Sequence, residues 1–171
     1  MYGQRIPIKT MYEANCSELS LVEYNAIIQE MSHYEDARAV SIQALSIVQR
    51  HRGWVSDILI EAISRVLGIS ASDLDGVATF YSHIYRTPVG RYVIRYCDSV
   101  VCYMTGYKGI QSALESYLCI YSGETTKDKR FTLLPTCCLG NCDKGPTIMI
   151  NNDTYVYVMS EHISKLLEQY V

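Results

Sequence analysis

Apolar residues recur every three or four positions through the first half of the chain and every second position in much of the second half. Helical spacing in the first half predicts four short helices. Ser20 and Glu23 form a capping box ahead of "YNAIIQEMSHY". Asp36 stands where it can cap "ARAVSIQALSIVQRH", whose Val40, Ala44, Ile47 and Val48 share one face, and Gly53 ends that run. Ser56 opens "DILIEAISRVLG", with a stripe of Ile58, Leu59, Ala62, Ile63, Val66 and Leu67 and a stop at Gly68. Ser70 and Asp73 start a fourth helix toward "VATFYSHIY". Short helices with short links read as an all-α bundle, or as an arm that packs on a partner.

The rhythm changes at Thr87-Pro88-Val89-Gly90, a Pro/Gly turn. Beyond it "RYVIRYC" alternates as a strand ending on Cys97. A helix is predicted over Gly106 to Leu118 and a second strand over Arg130 to Cys137, where Pro135 favours a sheet edge or a strand end. Thr147 to Ile150 and Tyr155 to Val158 read as a hairpin across "NNDT", and "SEHISKLLEQYV" as a closing helix. The order strand, helix, strand, strand, strand, helix is that of a thioredoxin-like α/β domain. The expected division is therefore an N-terminal helical domain over 1–86, with a short disordered start, and a thioredoxin-like domain over 87–171.

Composition narrows the classes. A net charge of −3 disfavours a non-specific nucleic-acid binder. No apolar run approaches a membrane span, and the N-terminus lacks the apolar core of a secretory signal, so a cytosolic protein is expected. Seven cysteines, at 16, 97, 102, 119, 137, 138 and 142, are an odd count in a reducing compartment, which argues against a disulfide framework. Cys16 and Cys119 stand alone and read as core or surface thiols.

The other five fall in two groups, each after a predicted strand. Cys97 and Cys102 enclose four residues; in "TCCLGNC", Cys142 follows the adjacent Cys137 and Cys138. Two loops at one sheet end can bring four sulfurs to a common centre, and four thiolates suit zinc or an iron–sulfur cluster. Structural zinc favours tight C-x2-C knuckles; these wider loops are those expected when each pair holds one iron of a 2Fe-2S rhomb. Plant-type ferredoxin spacing is not matched. Neighbouring side chains in an extended segment point to opposite faces, so Cys137 and Cys138 do not readily share an iron. Spacing alone leaves the choice between them open. Gly140 suits a tight loop whose N–H groups approach sulfur. Asp98, Asp143 and Lys144 read as solvated charge beside the loops.

"GVATFYSHIYRTPVGRYVIRYCDSVVC", "TTKDKRFTLL" and "CCLGNC" followed by "GPTIMIN" resemble the thioredoxin-like 2Fe-2S subunits of NADH:quinone oxidoreductase, respiratory complex I, from about Trp54 onward. Carried over by motif, the resemblance implies Cys97, Cys102, Cys138 and Cys142 as the ligands of one 2Fe-2S cluster, and leaves Cys137 packed behind the loop. It implies electron transfer beside a flavin. FMN and NADH belong to a partner subunit, and a larger iron–sulfur subunit of the peripheral arm follows. The chain is then a non-nucleotide-binding subunit, inactive alone, on the cytoplasmic side of an inner-membrane complex. Neither G-x-G-x-x-G after a strand nor a P-loop occurs, in keeping with that division of labour. His33, His51, His83 and His162 match no cysteine at ligand spacing; His51 and His83 are candidates for a partner interface. One departure stands at Lys129, where the family tends to carry glycine; if that position needs a positive φ, lysine costs about 1 kcal/mol. The rival readings are a matching subunit of an NAD-linked hydrogenase or formate dehydrogenase, a stand-alone thioredoxin-like ferredoxin, and a zinc-stabilised interaction module.

Overall fold

A computed structural model describes residues 19–170. Cys16 and the expected start of the chain lie outside them. Two compact units result, Met1–Pro88 and Val89–Val171.

Four α-helices occupy the described part of the first unit: α1 (Leu21–Met31), α2 (Ser41–Arg52), α3 (Asp57–Leu67) and α4 (Ala71–Phe80), with a 3-10 turn over Ala37–Val40 before α2. Local side chains start three of the helices. Ser20 and Glu23 close a reciprocal capping box on α1, and the Ser56 and Ser70 side chains accept from Leu59 N–H and Asp73 N–H. Gly53 and Gly68 end α2 and α3 in the left-handed conformation. Val40, Ala44, Ile47 and Val48 are all buried, as their spacing predicts. Ile58 departs from expectation, being 62% exposed. At 100° per residue it lies about 140° from the centre of the stripe formed by Leu59, Ile63 and Leu67.

The Glu23 carboxylate is buried and receives both Arg52 Nε at 2.7 Å and a second guanidinium nitrogen at 2.6 Å. Ser20 N–H also donates to it at 2.7 Å. Burial alone would raise its pKa, but the Arg52 and Ser20 hydrogen bonds and the Arg52 charge overcome that and lower it to about 2.

The second unit is built on a mixed four-stranded sheet of order β2-β1-β3-β4. Its strands are β1 (Tyr92–Cys97), β2 (Phe131–Thr136), β3 (Ile148–Ile150) and β4 (Asp153–Tyr155). β1 pairs parallel with β2 and antiparallel with β3, which pairs antiparallel with β4. Pro135 therefore lies on an edge strand, where its missing N–H leaves no gap in the sheet. Three helices accompany the sheet: α5 (Val100–Met104), α6 (Tyr107–Leu118) and α7 (Ile163–Leu167). Ile110 and Leu114 of α6 and Ile163 and Leu167 of α7 share one core with Ile94, Tyr96, Leu133, Ile148 and Ile150 of the sheet. A mixed sheet with these flanking helices is what the sequence leads one to expect of a thioredoxin-like domain.

Two expected elements are shorter than predicted. The second hairpin strand covers Asp153–Tyr155 and not Tyr155 to Val158, because Asn151 takes φ 51° and turns the chain at once. Tyr157, at φ 51°, then ends the extended run. The closing helix begins as a 3-10 turn over Ser160–His162 and continues as α only through Leu167.

Candidate metal centre

The last strand residue of β1 is Cys97, buried, with its N–H donating to the Thr147 carbonyl at 3.1 Å. Asp98 N–H donates to Thr136 O at 3.1 Å, so the chain is held between β2 and β3 as it leaves the sheet. It then winds into α5, which carries Cys102, also buried. That helix was not expected; the first pair was read as a loop. A five-residue helix gives too short a periodicity to detect, and a serine before two valines was its only sequence signal.

The second group leaves the end of β2. Phe131 and Leu133 face the core, so alternation puts Thr136 on the opposite face, the one that carries its register partner Cys97, and Thr136 is buried there. Cys137 is exposed and does not pack behind the loop as expected. The chain bends at Cys137, Gly140 adopts φ 85°, and its N–H donates to Cys138 Sγ at 3.4 Å. Cys142 opens a 3-10 turn and brings its Sγ to 3.2 Å from that of Cys138. Backbone bonds from Tyr157 to Lys144 O, 2.8 Å, and from Val158 to Pro146 O, 3.1 Å, pin this loop to the segment after β4.

The four expected sulfurs meet pairwise. Cys138 and Cys142 are in contact, and Cys97 is near enough to perturb Cys102, Cys138 and Cys142. Burial, and then Cys97, push the Cys102 thiol up, while the Thr147 N–H opposes that shift by donating to its sulfur. The Gly140 N–H, followed by the Cys142 thiol, lowers Cys138, and Cys142 is raised in turn by Cys138. Among the described residues no three His, Cys, Asp or Glu side chains converge as a single-ion site; the thiols instead stand as two linked pairs. Cys119 lies apart, exposed at the end of α6 with φ 53°, and His51 and His83 are exposed in the other unit.

Three features about the thiols were not read from sequence. A Cβ on Gly145 would stand 3.0 Å from Thr105 Oγ1 and 3.5 Å from Cys102 Sγ, so a side chain there would crowd Thr105 beside the thiol. Thr147 supplies backbone groups to both Cys97 and Cys102. Its buried Oγ1 has no hydrogen-bond partner. Soft thiolate donors, a backbone N–H aimed at sulfur, and an unsatisfied hydroxyl beside them fit a [2Fe-2S] group.

A mixed sheet with helices and a thiol quartet at one end is the frame of an iron–sulfur protein of thioredoxin-like build. The chain belongs to the thioredoxin-like [2Fe-2S] ferredoxin family, whose description matches residues 27–171. It is 65% identical over 153 residues to a subunit of the NADH-quinone oxidoreductase of Escherichia coli (strain K12), covering 90% of this chain and 92% of that protein. Identity to the corresponding NADH-quinone oxidoreductase subunit of Pseudomonas aeruginosa is 58%, with the same shares covered. Among solved structures, NAD+-reducing [NiFe]-hydrogenase in the air-oxidized state aligns over 78% of this chain with TM-score 0.61 and 25% identity. The alignment spans only 22% of that hydrogenase chain.

Proposed function

We infer that the chain is an electron-transfer subunit of an NADH-quinone oxidoreductase, holding one [2Fe-2S] cluster on Cys97, Cys102, Cys138 and Cys142. The observation that carries the ligand set is that Cys97, ending β1, pairs in register with Thr136 at the end of β2, so both cysteine groups leave the same end of the sheet, where Cys138 and Cys142 stand 3.2 Å apart. When bound, the cluster takes up and returns single electrons. The protein's own groups do the rest. The sheet end fixes Cys97, α5 delivers Cys102, and the Gly140 turn presents Cys138 with Cys142. Backbone N–H groups of Gly140 and Thr147 offset the negative charge on sulfur.

FMN and NADH are bound by the partner subunit, and a larger iron–sulfur subunit of the peripheral arm stands beyond it. Helices α1 to α4 form the bundle that meets this partner, and the chain lies in the peripheral arm, on the cytoplasmic side of an inner-membrane complex. No helix among the described residues is long and apolar enough to cross a membrane. The likeness to the NAD+-reducing hydrogenase favours one second reading, the equivalent subunit of such an enzyme. Affinity isolation of the tagged chain from its own cells separates the two: quinone-reducing activity in the isolate supports the first, and hydrogen-dependent NAD+ reduction the second.

Cluster content tests the ligands. The anaerobically isolated chain should be brown with about two irons and two sulfides; a colourless chain with one zinc would sink the reading. Cys138→Ser should lower bound iron about tenfold or more, while Cys137→Ser keeps it. The reverse pattern would move the ligand to Cys137.

A further inference from the structure

We propose that Cys138 and Cys142 are a thiol–disulfide switch on filling of the centre: before iron arrives, a low-molecular-weight disulfide converts them to a reversible Cys138–Cys142 disulfide that bars the metal. The inference rests on the four-thiol reading above and concerns the chain before it holds iron.

The four thiols are not equally placed. Cys97, at the end of β1, is 1% exposed, and Cys102, on α5, is 3% exposed. Cys138 and Cys142 are both open to solvent, and their sulfurs stand 3.2 Å apart. An S–S bond is about 2.05 Å long, so these sulfurs need approach by only about 1 Å. The segment that must give lies outside the sheet, because β2 ends at Thr136. It turns at Gly140, at φ 85°, a residue that bends without a steric penalty. Beyond its chain neighbours, no described residue lies within 4 Å of where a Cβ on Gly140 would stand. The turn can therefore close without displacing the core.

The chemistry balances with one co-reactant, a small organic disulfide RSSR. One sulfur of the pair, as its thiolate, attacks RSSR; a bond forms to the protein, the RSSR bond breaks, and the first RS⁻ leaves. The second protein sulfur then attacks the mixed disulfide, closes the Cys138–Cys142 bond and expels the second RS⁻. The pair gives up two electrons and two protons, and RSSR takes them up as two RSH. Burial withholds Cys97 and Cys102 from the same reagent. The product offers two thiols where the centre needs four, and excess RSH reverses both steps. The thiol-to-disulfide ratio around the chain thus decides whether the centre can fill.

The test uses the full chain, freed of iron by a chelator under argon and then exposed to glutathione disulfide at several ratios to glutathione. Remaining thiols are alkylated in denaturant and located by peptide mass mapping. The tryptic peptide Phe131–Lys144 should be lighter by two hydrogens, with fragmentation placing the bond between Cys138 and Cys142, while Cys97 and Cys102 alkylate in full. Cys142→Ser should stop at a glutathione adduct on Cys138, and Cys137→Ser should close the same bond as wild type. The oxidised chain should lose its uptake of iron and sulfide, and dithiothreitol should restore it. Glutathione adducts without ring closure in wild type would overturn the proposal. So would a bond that uses Cys137, oxidation of Cys97 or Cys102 at the same rate, or an oxidised chain that fills as fast as the reduced one. A reduced chain that assembles no cluster overturns the four-thiol reading itself, a different and separately visible result.

Discussion

Two side chains in the structure carry energies that can be measured one residue at a time. Lys129 sits at φ 57°, in the left-handed region that favours glycine. The turn around it is otherwise satisfied: Lys129 N–H donates to Thr126 O at 2.8 Å, and Arg130 N–H to Asp128 Oδ1 at 3.0 Å. Lys129→Gly should therefore stabilise the unit by about 1 kcal/mol, read as a rise in the thermal midpoint with cluster content unchanged. A lower midpoint would mean that the lysine stem contributes packing that outweighs the strain. Glu23 works in the opposite sense, because its folded-state pKa is depressed from an ordinary 4.5 to about 2. Its ion pair with Arg52 stabilises fully above pH 4.5 and is lost as pH falls through about 2. Glu23→Gln should cost about 3 kcal/mol near neutral pH, because Arg52 loses its charged partner. It should also flatten the acid limb of a urea-midpoint profile, and an unchanged slope below pH 4.5 would contradict the pairing. Neither effect was fully visible in sequence. The Ser20–Glu23 box was legible because its partners are three residues apart, whereas Arg52 lies 29 residues from Glu23.

Elements were legible where their signals are local. Ser56 and Ser70 announce α3 and α4 because an N-cap bond spans only three residues. β1 and β2 were legible from alternation ending in cysteine, and the edge position of β2 from Pro135. Elements shorter than two periods of their pattern were missed or misplaced. α5 has five residues and β4 three, and β4 is set by the turn at Asn151 that precedes it. The thiol spacing suggested a common centre, but spacing could not choose between Cys137 and Cys138. What separates them is the turn beyond β2, where the Gly140 N–H donates to Cys138 Sγ and Cys142 Sγ comes to 3.2 Å from it. Thr147 escaped notice for a related reason. Its importance comes from register across the sheet, with Cys97 fifty positions earlier in the chain.

At the scale of the whole molecule, the chemistry on this chain is incomplete, and the missing part has a defined nature. Oxidation of NADH releases a hydride, which delivers two electrons together, while a [2Fe-2S] site held by four thiolates exchanges one at a time. An organic acceptor that takes a hydride and releases single electrons must stand between them, and the flavin of a partner subunit supplies that step. The brown, full-length chain should accordingly be reduced by dithionite but not by NADH. Mixed with NADH and a one-electron dye, it should give a rate indistinguishable from the blank. Adding the flavin-bearing subunit should bring both dye reduction and NADH-dependent bleaching of the cluster. Bleaching by NADH without that subunit would place hydride chemistry on this chain and overturn the division of labour. With the partner present, Cys138→Ser should abolish the bleaching assigned to this cluster and leave flavin-driven dye reduction in place, because that step needs none of the four thiols.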